Sequence, residues 1–594
     1  MISSLALGLL LALAPQGPAH AGLHPAEADL YLELVEVQRT LQVLDKAPLV
    51  RFLRDDKVKV LFEKLGQPLD RPLGELVQGI LDGALEGAGS TEWLAGLATI
   101  SASLAPTPGG PEPVGVLVLA DFAAAEQAAA FHAGVRASFA QHEPVEGSLA
   151  GLERLVPAEG AGREFWIVTL GTRVALGTRA SKPEDVPARA EGKQGGLAKH
   201  EPFAKRLAGL ASASGTPLLW FALARPLSEV TQALGESAGP SLEVIERAPE
   251  SLNVFAHPCV ARITMAGERI VSEMITSEPA GPSDRPIDLA WLAPVPSDSM
   301  LFFASAFDGV AAAKRLREIL ASDEQAAAAL AAIEQKLGYG PERLLSRLGP
   351  GLTFYAAAPG GLGLPDSRLW IDCEDPAAFA SEFEALITAM GELLPGYQAK
   401  TKPYKVKVQG SDERLEVPIT TLTLPPDAVQ IPMVSISPSF APVGKRLVFS
   451  FGSMEVKSEL KRVHSGDGEP IQADANPLAA RGFALPEKAA TVVVMDWGKL
   501  FSGVIGTAKA FASMASPEDL PFDLALLPTP ELLRQYFQPT FYYSKPIEGG
   551  TYRRNEASFG PETWFGLTGA IAFGIRQQAM LGGAAAPATI DGGK

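Results

Sequence analysis

The sequence predicts an α+β protein built from two tandem, diverged copies of one unit, each a mixed, largely antiparallel sheet with helices packed on one face. Two observations carry this. Apolar strand patterns pair through short glycine turns and alternate with helical patterns. The same landmarks also recur in the same order roughly 250 to 280 positions further along the chain, and collinear recurrence is the mark of an internal repeat.

The opening strands set the first correspondence. Pro25 to Leu32 (PAEADLYL) reads like Pro296 to Phe303 (PSDSMLFF), a proline, short residues and an apolar strand that runs into a helical pattern. Leu97 to Pro106 (LATISASLAP) then matches Leu352 to Pro359 (LTFYAAAP). After a Pro/Gly turn, the segments from Gly115 and Ser367 each leave a strand through an acidic residue into an alanine-rich helix. Leu170 to Leu176 pairs with Val443 to Phe449, and in both a glycine can supply the positive φ of a tight hairpin. Glu201-Pro202 and Asn476-Pro477 each read as a helix start, with proline tolerated in the first turn. Each leads to an apolar strand, Leu218 to Leu223 and Thr491 to Met495. Strand pairs close both copies, Ala261 to Thr276 about Gly267 and Phe541 to Ser558 about Gly549 and Gly550.

These landmarks place copy one at 22–278 and copy two at 287–560, joined by a Pro/Gly/Ser-rich linker, 279–286. Copy one is longer around Leu65 to Thr91, and copy two reads as having an added segment near Lys400 to Met433, the type of insertion that surface loops accept. Helical stripes are ordinary: Val58, Leu61, Phe62 and Leu65 make one apolar face opposite Lys57, Lys59 and Glu63.

The N-terminus points to export. Leu5 to Ala14 is an apolar run of the length of a signal-peptide core, helix breakers Pro15, Gly17 and Pro18 follow, and Ala19-His20-Ala21 places small residues where a signal peptidase needs them. The expected signal peptide is 1–21, cut after Ala21, leaving a periplasmic or extracellular chain.

Composition excludes other classes. With 47% hydrophobic and 20% charged residues the chain is a folded product. A net charge of −17 argues against a nucleic-acid surface and against anionic membranes. Cys259 and Cys373 are the two cysteines, one in each copy, so no disulfide framework exists, although export permits one bridge.

Three stretches carry a resemblance: Pro25 to Val37 (PAEADLYLELVEV), Ala47 to Val58 (APLVRFLRDDKV) and Asn476 to Asp496 (NPLAARGFALPEKAATVVVMD). With the strand pairs broken by Pro/Gly turns, they resemble a family of large exported bacterial proteins known as a domain of unknown function. The resemblance covers most of the mature chain. It implies an exported α+β protein and carries over no catalytic or binding residue.

Direct searches for chemistry assign no catalytic, cofactor-binding or metal-ligating residue. The seven histidines, His20, His24, His132, His142, His200, His257 and His464, show no metal-ligand spacing, and His132 and His142 lie ten apart rather than on one helical turn. They read as solvent-facing or hydrogen-bonded side chains. His257 and Cys259 could share a strand face but lack an orienting third group. Nucleophile-elbow and phosphate-loop motifs are absent, and Gly109-Gly110 and Gly360-Gly361 read as hairpin punctuation. Acidic pairs such as Asp55-Asp56 and Glu374-Asp375 read as corners and helix starts.

Lys400, Lys402, Lys405 and Lys407, with Tyr397 and Tyr404 among them, form a local basic feature. It reads first as an exposed edge strand whose lysines discourage pairing, and second as an anion or polysaccharide contact. In the last segment, 561–594, Trp564 to Ile575 is an apolar run too short to span a bilayer, suited to docking on copy two or to a weak membrane contact, ahead of a flexible Gly/Ala-rich tail. The function expected is non-catalytic binding or scaffolding in the bacterial cell envelope, with an unknown envelope ligand or protein as partner and no cofactor. The alternative is a metal-independent hydrolase of envelope or extracellular polymers that uses a carboxylate pair.

Overall fold

A computed structural model describes residues 20–64, 92–107, 114–139, 141–147, 151–158, 164–210, 217–225, 257–277, 285–321, 324–357, 366–393, 396–425, 436–465, 476–512 and 526–558. The chain forms two compact units. One comprises Met1–Asp55, Gln67–Glu278 and Glu556–Lys594, and the other Asp56–Gly66 and Pro279–Asn555.

Among the described residues the first unit holds ten strands: β1 (Leu30–Val35), β2 (Leu97–Pro106), β3 (Val114–Phe122), β4 (His142–Glu146), β5 (Leu152–Pro157), β6 (Phe165–Leu170), β7 (Arg173–Thr178), β8 (Pro217–Leu223), β9 (Cys259–Ala266) and β10 (Arg269–Thr276). They hydrogen-bond in the order β4-β5-β6-β7-β3-β2-β1-β8-β9-β10. Among the described residues every one of these pairings is antiparallel, so the sheet is antiparallel rather than mixed. Turn chemistry explains why the chain reverses where it does: Gly171 (φ 66°) joins β6 to β7 and Gly267 (φ 63°) joins β9 to β10, both in the left-handed region open to glycine.

Helices cover both faces of this sheet, which corrects the one-face expectation. Helix α1 (Val37–Leu44) contributes Val37 and Leu41, and α4 (Ala125–Ser138) contributes Ala128, Phe131 and Val135, to a core shared with Leu34, Ala120, Val174, Leu219, Ile263 and Ile270. Tyr31 lies three residues from Leu34 on β1 and so points to the opposite face. There its ring meets Phe203 of α6 (Glu201–Leu210) at 6.2 Å. The physical reason is in the strand itself, since Tyr31, Glu33 and Leu34 are all buried, and a strand covered on one side only would alternate. Between α1 and α4 the chain forms α2 (Pro48–Leu53) and α3 (Asp56–Lys64), and α5 (Asp185–Ala190) precedes α6. Val58 of α3 is buried, and the rest of the stripe expected there lies outside the described side chains.

The second unit holds β11 (Leu301–Ala306), β12 (Leu348–Ala356), β13 (Ser367–Cys373), β14 (Gln398–Lys407), β15 (Arg414–Thr423), β16 (Ser439–Val443), β17 (Arg446–Ser450), β18 (Thr491–Met495), β19 (Thr540–Ile547) and β20 (Gly550–Ala557). Their order is β14-β15-β16-β17-β13-β12-β11-β18-β19-β20. Nine α-helices belong to this unit among the described residues: α3 (Asp56–Lys64), and, after the linker, α7 (Leu289–Leu292), α8 (Gly309–Ala321), α9 (Glu324–Leu337), α10 (Pro341–Leu345), α11 (Pro376–Leu393), α12 (Ser453–Ser465), α13 (Trp497–Ala512) and α14 (Pro530–Tyr536). Trp370 packs with Val456 and Leu460 of α12, while its neighbour Ile371 packs with Phe379 of α11 and Leu344 of α10, so both faces of β13 are buried here too. Each large apolar side chain taken out of water contributes about 1.5–3 kcal/mol.

Two expectations change in this unit. The segment Asn476-Pro477 opens a single 3-10 turn, Ala479–Arg481, rather than an α-helix, with the Asn476 side chain accepting from the Leu478 and Ala479 amides. The added segment near Lys400 to Met433 is largely the β14–β15 hairpin, which stands in the strand order where the shorter β4–β5 hairpin stands in the first unit.

Candidate functional site

The first candidate is a buried polar layer on the Tyr31 face of the first unit. The segment His20 to Pro25 crosses that face as a strap, and its backbone is fixed on the far side by Gly196 to Ala198. Leu197 N–H donates to His24 O at 3.0 Å and Ala198 N–H to Ala21 O at 3.2 Å. A Cβ on Gly196 would fall 2.0 Å from the Gly22 carbonyl oxygen, so this crossing requires glycine. Under the strap lie Ser101 and Ser103, two apart on β2 and therefore on one face. His24 bonds Ser103 Oγ through Nδ1 at 2.6 Å and Ser101 Oγ through Nε2 at 2.8 Å. His20 bonds Ser101 Oγ through Nδ1 at 2.8 Å and Asp121 Oδ2 through Nε2 at 2.9 Å. Arg173 completes the array with two bonds to Asp121, 2.5 and 2.7 Å.

Electrostatics follow from these contacts. Burial pushes the Asp121 carboxyl up, but the hydrogen bonds from Arg173 and His20 outweigh it and hold the group well below the usual carboxylate range. Burial, with help from His20, Arg189 and Arg173, pushes His24 well below its ordinary value, so it is neutral at pH 7. Further along the same face Glu33 accepts from Tyr31 Oη and, at 3.3 Å, from the His20 amide. Arg262 and Glu273, both buried, pair at 2.7 Å across β9 and β10.

Ser101, His20 and Asp121 stand in the hydrogen-bond order of a serine hydrolase, yet the arrangement does not make a nucleophile. Ser101 is 2% exposed, its hydroxyl is shared between two imidazoles, and it sits mid-strand under the strap. The second unit shows what the arrangement holds. Asp372 faces Arg446 across β13 and β17 as Asp121 faces Arg173 across β3 and β7, with Arg446 Nε 2.9 Å from Asp372 Oδ1. The Trp291 side chain donates to Asp372 and Thr353 Oγ1 donates to Trp291 O at 2.7 Å, so a tryptophan and a threonine occupy the places of His20 and Ser101. A clamp on the aspartate is present in both units, and a base in one. Asp372 is pushed up by burial, which Arg446, the Gly351 amide and Trp291 offset only in part.

The second candidate is an open cavity of about 630 Å³ in the first unit, lined by Ala129, His132, Ala133, Arg136, Ala137, Phe139, His142, Pro144 and Thr169. Its geometry comes from helix periodicity, since Ala129, His132, Ala133 and Arg136 are three or four apart and share one face of α4. The lining sets the Ala129, Ala133 and Ala137 methyl groups and the Phe139 ring beside the nitrogen donors of His132, Arg136 and His142. His132 Nδ1 bonds Thr169 Oγ1 at 2.8 Å, and Glu153 steadies His132 and Arg136 at 3.6 and 3.3 Å. Burial lowers the His132 pKa despite the nearby Glu153. His142 packs edge-on against Phe139 at 5.2 Å. Among the described residues the lining holds no carboxylate and no thiol.

His132 and His142, ten apart in sequence, thus meet in one cavity because the chain reverses between α4 and β4. Sequence reasoning missed this, and also missed the burial of His20 and His24, for which small polar residues alternating on β2 were the available signal. Cys259 opens β9 fully buried, and Cys259 and Cys373 are not joined in a disulfide, so His257 and Cys259 offer no accessible nucleophile. Asp375 caps α11, accepting from the Ala378 amide at 3.0 Å. Lys400, Lys402, Lys405 and Lys407 are exposed on β14, the end strand of the second unit's order. Among the described residues no group of three His, Cys, Asp or Glu could hold a metal, and no helix is long and apolar enough to cross a membrane. Gly109-Gly110, Gly360-Gly361 and Trp564 to Ile575 lie outside the described residues.

No family model and no curated protein matches the chain. One solved structure, crystal form I of TP0453, is similar at a TM-score of 0.23 and 7% identity over 45% of this chain and 81% of that one, a likeness that carries no argument.

Proposed function

We propose that the protein is an exported, non-catalytic binding or scaffolding protein of the bacterial cell envelope, built from two diverged copies of one α+β unit. The duplication is supported by the shared strand order and by the Asp121–Arg173 and Asp372–Arg446 pairs at equivalent crossings. Glycine turns at Gly171 (φ 66°) and Gly444 (φ 60°) support it as well. Export is supported by the apolar run Leu5 to Ala14, and the resemblance of Pro25 to Val37 and Asn476 to Asp496 to a family of exported bacterial proteins points the same way.

The observation that supports binding over catalysis is the cavity lining: His132, Arg136, His142 and Thr169 beside alanine methyl groups and the Phe139 ring, with no carboxylate pair and no thiol among the described lining residues. Such a lining suits a small envelope ligand with an acidic group and an apolar body. A ligand that binds only the folded state raises its melting temperature. A thermal-shift screen against fatty acids, acidic glycans and acidic peptides tests the reading. The expected result is a shift with one class that Arg136→Ala removes; no shift with any class, or turnover of the bound molecule, contradicts it.

A further inference from the structure

We propose that the second unit binds a linear acidic polysaccharide on the face of β14 that holds Lys400, Lys402 and Tyr404, and on the flank of α12 beside it. The site shares no residue with the cavity of the first unit and goes beyond the reading above. Strand alternation divides the four lysines of β14 into two pairs. Lys405 and Lys407 share one side with Thr401 and are met by acids: Lys405 Nζ lies 3.8 Å from Glu416, Lys407 Nζ lies 3.9 Å from Asp412, and Thr401 Oγ1 donates to Glu384 at 3.2 Å. Lys400 and Lys402 share the other side and are exposed, and among the described residues neither forms an ion pair.

Three contacts lay α12 along that second side. Ser465 Oγ donates to Lys407 O at 2.6 Å, the Gln409 amide donates to His464 O at 2.7 Å, and the Lys457 ammonium stands 5.8 Å from the centre of the Tyr404 ring. Val456 and Leu460 share a core with Val406, Val417 and Ile419, and Lys457 and Lys461 each follow one of these helix residues. Being four apart, the two lysines stand on one flank of α12, about 6 Å apart along its axis. Lys400 and Lys402 are about 6.6 Å apart along β14. The acids of α12 are turned elsewhere: Glu459 is buried and pairs with Arg462, and the Glu455 carboxylate lies against Gly452. Four ammonium groups thus gather on two adjoining elements, with Tyr404 among them.

Protection of an exposed edge accounts for charge on β14, but not for its sign or for the lysines on α12. The counterpart end strand β4 carries Glu143 and Glu146 instead. In a chain of net charge −17, lysines gathered this way make a local positive field, and screening confines it to about 8 Å at physiological ionic strength. A single polymer strand fits within that reach, whereas a bilayer or a nucleic-acid duplex also meets Glu384, Asp412, Glu413 and Glu416 on the same hairpin and its neighbour. An acidic peptide would gain most by adding a strand to β14, but Pro403 in mid-strand removes a main-chain donor from the open edge. A polysaccharide needs the side chains alone, ammonium groups for its acidic groups and the partly exposed Tyr404 ring for the body of a sugar.

The test is titration of the full chain into a fluorescently end-labelled galacturonate oligomer, followed by anisotropy at low and at high salt. The expected result is saturable binding that salt weakens. Lys400→Gln combined with Lys402→Gln should lose about tenfold or more in affinity, and Lys457→Gln combined with Lys461→Gln, on a different element, should do the same. Lys405→Gln combined with Lys407→Gln, whose lysines already have acidic partners, should lose about threefold or less. Absence of binding at low salt overturns the inference, as do equal losses in the two β14 variants. Binding abolished by Arg136→Ala assigns the oligomer to the cavity, which overturns this site and leaves the cavity reading standing. Polyglutamate or phosphatidylglycerol vesicles bound as tightly as the oligomer would overturn the polysaccharide in favour of a peptide or a membrane.

Discussion

Asp121 and Arg173 face each other across β3 and β7, with Arg173 Nε and Nη2 donating to the two carboxylate oxygens at 2.5 and 2.7 Å. Both side chains are about a quarter exposed, so the pair is shielded enough to matter and wet enough not to cost heavily. It joins the β4–β7 side of the first unit to its central strands and anchors His20 at the same time.

Removing one partner should therefore destabilise the first unit. Arg173→Met is expected to cost about 1–3 kcal/mol, as is Asp121→Asn, and the double variant should lose less than their total, because the two act through one interaction. Chemical denaturation of the four proteins measures the coupling. The Asp121 carboxyl is lowered in the folded state, so its contribution is complete above the unfolded value of about 3.9 and fades as pH falls toward the folded value. The difference between wild type and Asp121→Asn should shrink below about pH 4.

His24 predicts a second pH effect of its own. Its folded pKa lies well below the ordinary 6.5, from burial and the nearby His20, Arg189 and Arg173. The unfolded chain then binds the proton that the folded one refuses. Stability from this group is full above about pH 6.5 and declines as pH falls below it. His24→Gln should flatten the slope of melting temperature between pH 7.5 and pH 5, which a scan in matched buffers will show.

The cysteines give a third outcome. Both are buried and neither is in a disulfide, and burial pushes the Cys373 thiol up to about 11, so little of its thiolate is present at pH 7. Ellman's reagent should label neither in the native protein and both after denaturation, without prior reduction.

How much of this was legible in the sequence depends on whether the signal was local. The turns at Gly171, Gly267, Gly444 and Gly549 were, because a left-handed residue is a property of a few neighbouring positions. The strand β4 was not: His142 to Glu146 is polar, exposed and contains Pro144, and an edge strand of that composition carries no alternating pattern. Its longer counterpart β14 consequently reads as an insertion. The acidic strand ends at Asp121 and Asp372 and the arginines after Gly171 and Gly444 were visible as landmarks, but their pairing depends on register between strands some fifty or more residues apart. The Glu33 side of β1 defeats the alternation rule outright, since a buried polar layer occupies what the rule assigns to water.

The candidate cavity was illegible for the same reason. Ala129, His132, Ala133 and Arg136 lie on one helical face, but the wall opposite comes from His142, Pro144 and Thr169 after a chain reversal that no spacing rule encodes.

The measurement that bears most directly on a non-catalytic binding protein is calorimetric titration of the protein with the ligand class that raises its melting temperature. It is run on wild type and on Arg136→Ala and His132→Ala, with the ligand recovered and analysed afterwards. We expect saturable binding, a loss of about tenfold or more in affinity in Arg136→Ala, and ligand recovered unchanged. Binding that is indifferent to both substitutions, or ligand recovered as hydrolysis products, would contradict the account.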